Sequence, residues 1–206
     1  MTAHRPPAHR LRHWASAVLL GLGWGQAWGV VTTFPIGGTR TILLQVGAAG
    51  GTVNTVRFNV SGASTSPSPM PATGVPDATT PTTTPSGGVR VRMRATINNS
   101  SARTLSLVVN SQAGMTCITP ATCGTVSIPF SKVSWVSHEK DGTNDAVDIQ
   151  SGSFNGTTTQ TLVSYFCCNP FRSFEMANTL VFTYANDTLY PAGQYRGRVT
   201  FTAYLQ

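Results

Sequence analysis

The last stretch of the chain, Tyr190 to Gln206, limits what the whole can fold into. Pro191 and Gly193 make a turn, since proline presets one backbone dihedral and glycine accepts positive φ. Beyond them Val199, Phe201, Ala203 and Leu205 alternate with Arg198, Thr200, Thr202 and Tyr204. A period of two in β-branched and aromatic residues describes a half-buried strand, and its apolar face needs a second sheet to cover it. The chain is therefore expected to end inside an all-β fold, an immunoglobulin-like antiparallel β-sandwich.

The preceding segments support that class. Val89–Ile97, Arg103–Asn110, Thr125–Ser137 (bent at Pro129), Thr159–Phe166 and Thr179–Tyr184 each read as strands, separated by polar turns such as 98–101, 110–114 and 140–144. Outside the leader no stretch shows a capped 3.6-residue apolar period, so helices are not expected. Upstream, 39–46 and 52–60 alternate around a glycine-rich turn at 47–51 and read as a hairpin. Segment 61–88 is a run of Ser, Thr, Pro, Ala and Gly, expected to be mobile and extended because it carries too little apolar surface to offset its ordering entropy. A hairpin alone is not stable in water, so this run is read as a loop inside one domain spanning 30–206 rather than as a linker.

Residues 1–29 read as a secretory signal peptide. Arg5, Arg10 and Arg12 precede an apolar run from Trp14 to Trp24, and Ala27 and Gly29 place small residues where a signal peptidase inspects the chain. The run is too short to span a bilayer. Export to the periplasm or cell surface, with no membrane span after cleavage, is the expected localisation. The leader also explains part of the +7 charge: it holds three of the fourteen cations, leaving eleven against seven acids. Arg90, Arg92 and Arg94 then lie on one face of a strand, most simply the solvent face, and no nucleic-acid partner is expected.

An oxidising destination makes the four cysteines disulfide candidates. Cys117 and Cys123 flank a short loop and are the favoured pair. The two connectivities that join each of them to Cys167 or Cys168 stay open, because adjacent cysteines bond to each other only in a strained ring. Cleavage also removes three of the four histidines and leaves His138, in a polar turn. With so little general-base chemistry, no catalytic residue, cofactor or metal is assigned, and an enzyme is not expected. Asp141, Asp145 and Asp148 crowd one loop with oxygen ligands, although not in EF-hand order. Together with Phe171 and Phe174, read as belonging to an irregular segment after Cys167 and Cys168, they form the candidate ligand loop.

The ending resembles that of bacterial pilus and fimbrial subunits of the chaperone-usher kind, and of the related spore-coat-protein-U-like secreted proteins. Those subunits tend to end with a glycine about fourteen residues from the terminus, alternating hydrophobic residues and a penultimate tyrosine. Gly193 takes the glycine position here, and Val199, Phe201 and Ala203 carry the alternation; the penultimate residue is Leu205, with Tyr204 one place earlier on the opposite face. The resemblance implies a structural subunit of the cell surface or of a pilus-like filament that assembles by β-strand addition. Its implied partners are further copies or other surface subunits and a periplasmic chaperone. The implied donor is 30–46, through Ile42, Leu44 and Val46, and the receiving edge is the terminal strand with Gly193, Val199, Phe201, Ala203 and Leu205. The alternative is a secreted carbohydrate- or surface-binding module, an adhesin that takes a glycan on the candidate loop.

Overall fold

The computed structural model describes residues 34–36, 40–47, 54–61, 70–77, 82–97, 103–140, 147–167 and 172–206. The leader, Phe171, Asp141, Asp145 and Cys168 lie outside the described residues. In chain order the strands are β1 (Phe34–Ile36), β2 (Arg40–Val46), β3 (Val56–Arg57), β4 (Ala72–Thr73), β5 (Val75–Pro76), β6 (Val89–Ile97), β7 (Arg103–Asn110) and β8 (Met115–Cys117). A one-turn helix α1 (Pro120–Cys123) follows, then β9 (Ser127–Ile128), β10 (Val133–His138), β11 (Gly152–Ser153), β12 (Gln160–Cys167), β13 (Arg172–Tyr184), β14 (Tyr195–Gly197) and β15 (Thr200–Leu205). The fold is all-β, and every pairing among the described strands is antiparallel.

Two sheets carry the architecture. The larger runs β1-β2-β6-β13-β10-β11, with β4 also paired to β13; the smaller runs β12-β7-β15. Alternation decides which side chains meet between them. Val89, Val91, Met93 and Ala95 of β6 are buried, while Arg90, Arg92 and Arg94 point to the opposite, solvent face. On that face Arg92 Nε donates to Glu175 Oε1 at 2.7 Å, and Arg94 stands 3.9 Å from the same carboxylate. From the smaller sheet Leu105, Leu107 and Val109 of β7 and Val163 of β12 pack into the same core. Burying such side chains contributes roughly 1.5–3 kcal/mol each.

One flank of this core is sealed by aromatic rings. Ile128, Phe130, Val133 and Trp135 are all buried, the three-residue step from Phe130 to Val133 being taken up by a 3-10 turn at Phe130–Lys132. Phe154 sits among Phe130, Trp135 and Phe182 with ring centroids 5.0–5.9 Å apart. The Trp135 indole N–H donates to the Gln150 carbonyl at 2.8 Å, satisfying a buried donor. Val147 and Ile149 fill the space beside β10, and Ile149 is fully buried.

Four expectations need correction. The 39–46 and 52–60 segments do not form a hairpin: β2 pairs with β6 along its whole length, and the later segment keeps only β3, which pairs with β5. Nine residues of β6 offer a longer partner than any local neighbour. Segment 61–88 is not a free, mobile run throughout, since β4 docks on β13, Ala72 is buried, and Asn186 Nδ2 holds the Met70 carbonyl at 3.0 Å. The strand expected at Thr179–Tyr184 begins seven residues earlier, at Arg172. The strand expected over Thr125–Ser137 is broken by a 3-10 turn at Phe130–Lys132, just after Pro129.

Candidate functional site

The terminal strand is the candidate site, and its geometry begins with the turn before it. Cys117 and Cys123 form a disulfide with their Cα atoms 5.9 Å apart, closing a small loop over α1. That loop docks on the Gly193–Gln194 turn. Thr119 Oγ1 accepts the Gln194 N–H at 2.9 Å, and the Gln194 carbonyl accepts the Ile118 N–H at 2.8 Å. Gly193 is required by this contact, because a Cβ there would come within 2.4 Å of Cys123 Sγ. β14 then pairs with β8, opposing Tyr195 to Cys117, and delivers the chain into β15.

β15 pairs with β7 from Thr200↔Asn110 to Leu205↔Leu105. Its other edge has no strand partner among the described residues. Val199, just before this strand, and Phe201, Ala203 and Leu205 on it pack on the core, yet each is only half-buried, whereas Leu105, Leu107 and Val109 on the adjacent strand are fully buried. The sandwich is thus closed along β10 by 147–154 and left open along β15, where β2 of the larger sheet is its nearest neighbour across the seam.

The expected donor residues sit elsewhere. Ile42 and Leu44 are buried core residues of β2, and Val46 is half-buried beside them, all within the chain's own larger sheet. Residues 40–46 are therefore not a detached arm, and the part of 30–46 before Phe34 lies outside the described residues.

The candidate ligand loop is not assembled as expected. Phe174 is part of β13, not of an irregular segment, and stacks inside the fold on Tyr165 with centroids 4.8 Å apart. Asp148 is buried, and its carboxyl accepts from Asn178 Nδ2 at 2.8 Å. Asn178, fully buried, also accepts the Ile149 N–H at 3.0 Å through Oδ1. Nothing local in the sequence marks this pair: Asn178 interrupts the apolar face of β13 and finds its partner thirty residues away. Asp141, Asp145 and Phe171 lie outside the described residues, as does Cys168; Cys167 closes β12. Among the described residues no group of three His, Cys, Asp or Glu side chains could hold a metal ion. A cleft of about 310 Å³ between 75–77 and 82–88 presents one acidic group, Asp77, whose Oδ2 accepts the Thr55 N–H at 3.2 Å.

Electrostatics near the site are modest. The hydrogen bond from Arg92 holds the Glu175 carboxyl below the ordinary glutamate range. Lys132 Nζ lies 2.8 Å from Asp187 Oδ1 and lowers that carboxyl likewise. Burial pushes the Tyr184 phenol up to about 12. Among the described residues no helix is long and apolar enough to cross a membrane. No family model, no curated protein and no solved structure matches the chain.

Proposed function

We propose that this protein is an exported, non-enzymatic structural subunit of the cell surface or of a pilus-like filament, built as an immunoglobulin-like sandwich that assembles by β-strand addition. The observation that carries the reading is the state of β15. It is a six-residue strand bonded along one edge only among the described residues, with Phe201, Ala203 and Leu205, and Val199 just before it, left half-covered. An added strand would satisfy its free N–H and C=O groups and bury that apolar row together. The disulfide loop supports the same reading, because it fixes the turn that presents the edge.

β2 is already a strand of its own sheet, so the added strand comes from a different part of the partner. The adhesin alternative has less support, since Phe174 and Asp148 both face inward. The test is to export the full chain in a bacterial host, with and without a periplasmic chaperone, and to examine the product in mild detergent. A ladder of oligomers is expected. A monomer at every concentration, with β15 amides as slow to exchange as those of β7, would refute the proposal.

A further inference from the structure

The smaller sheet has two long outer edges, and they differ from the edges of the larger one. β1 is three residues with Pro35 in the middle, and β11 is two residues. Short or proline-bearing edges are how native sheets avoid unwanted pairing. β12, by contrast, spans Gln160–Cys167 and β15 spans Thr200–Leu205, and neither contains a charged residue or a proline. β12 has a register shift between Thr161 and Val163 and is regular from Val163 onwards. Near its end Phe166 is 73% exposed.

Both strands are antiparallel to β7, so they run in the same direction at opposite sides of one sheet. Their levels also agree. Val163 and Ala203 both oppose Leu107, Ser164 and Tyr204 both oppose Ser106, and Tyr165 and Leu205 both oppose Leu105. A second copy displaced sideways along the sheet therefore brings its β12 to β15 with inward residues beside inward ones and outward beside outward, the condition that the two-residue pleat imposes on any register. The absence of charge on both edges leaves nothing to repel the approach.

Resting on the strand-addition reading above, we infer that the strand added to β15 is β12 of a second copy, in a parallel, head-to-tail junction. Such a heterologous contact uses different surfaces on the two partners and repeats without closing, so one interface suffices for a filament. Pairing of β15 with β15, or of β12 with β12, would instead be isologous and stop at a dimer.

Charge distinguishes these cases. Ser164 and Tyr204 stand level on the two edges, both opposing Ser106 and both facing outward, with Ser164 exposed and Tyr204 half-buried. The full-length exported chain is compared, by sedimentation velocity at low and high salt, as wild type, as Ser164→Lys with Tyr204→Glu, and as Ser164→Lys with Tyr204→Lys. A head-to-tail junction places opposite charges together in the first variant and like charges in the second. The Lys/Glu chain should then assemble roughly fivefold more tightly than the Lys/Lys chain at low salt, with the difference lost at high salt. Loss of assembly in both variants indicates an isologous junction and overturns the inference. Wild-type assembly in both shows that these edge positions are not at the junction and overturns it too; amide protection of β15 on assembly then tells whether strand addition at β15 stands. A wild-type chain that never associates removes the strand-addition reading itself. Phe166→Lys with Gln206→Glu, the next outward pair at the level of Thr104, repeats the test should Ser164→Lys or Tyr204→Glu disturb folding, which thermal melting of each variant reports.

Discussion

Removing the disulfide tests whether the Cys117–Cys123 loop holds the terminal strand in place or only decorates it. Substituting both cysteines by alanine releases a loop of about 7 residues, for which the chain-entropy relation gives about 2.4 kcal/mol. Two hydrogen bonds tie the loop to Gln194, at 2.9 and 2.8 Å, and each contributes roughly 0.5–1.5 kcal/mol net. Gln194 is exposed, so the lower part of that range applies. The expected loss is roughly 3–4 kcal/mol, equivalent to a fall in Tm of roughly 6–15 °C for a chain of this size. Unfolding followed by the emission of buried Trp135 measures it, and a dithiol reductant added to the wild type should give the same shift. Amide exchange distinguishes the mechanism: protection at 193–195 and along β15 should fall further than along β6. A drop in Tm under about 2 °C, or a full drop with β15 protection unchanged relative to β6, would refute the coupling between loop and strand.

Asn178→Leu keeps the branching but leaves the Asp148 carboxyl and the Ile149 N–H without their shared partner, so stability to urea should fall by about 3 kcal/mol; a loss under about 1 kcal/mol would mean the pair is dispensable. The Tyr184 phenol has a folded-state value of about 12 against an ordinary 10.0, so its contribution is complete below pH 10.0 and disappears as the pH rises towards 12. Phenolate absorbance should show one tyrosine titrating last, together with alkaline unfolding; a single transition near the ordinary value contradicts this. Glu175 is lowered, so its contribution is present above the ordinary glutamate range and is lost as the pH falls through the lowered value. In Arg92→Ala its carboxyl resonance should titrate higher, and an unmoved titration would deny the 2.7 Å bond its effect.

How much of this could be read from the residues depends on whether the deciding contact is local. The alternation in 89–95 and 199–205 reports which faces are inward, because pleat parity is a property of each strand alone. The Cys117–Cys123 bridge is legible for the same reason, its loop being short enough to close on itself. Partner choice is not local. The glycine-rich turn at 47–51 suggests a hairpin, yet β2 takes β6 over seven residue pairs, and no feature within 39–60 encodes the length of a strand that lies beyond the proline-rich run. The first half of β13 was missed on similar grounds. Arg172 to Asn178 holds no β-branched residue, and it becomes strand because β6 supplies a partner at every position from Ile97 to Val91. Asn178 misleads further by placing an amide on the inward face, a choice that makes sense only once Asp148 and Ile149 arrive beside it.

The openness of the β15 edge is the extreme case, since it is set by which strands fail to come alongside. Alternation identifies Val199, Phe201, Ala203 and Leu205 as an apolar row but is silent on whether the row is covered from both sides. On the β10 flank the chain spends 147–154 to close the core, with Ile149 fully buried and Phe154 nearly so. On the β15 flank β2 of the larger sheet comes near without a ladder to β15 among the described residues, and the apolar row stays half-covered. A monomer under selection for solubility alone would place a lysine or a proline on such an edge. That neither β15 nor β12 carries one, while β1 carries Pro35, makes pairing between copies the physical reading of the small sheet.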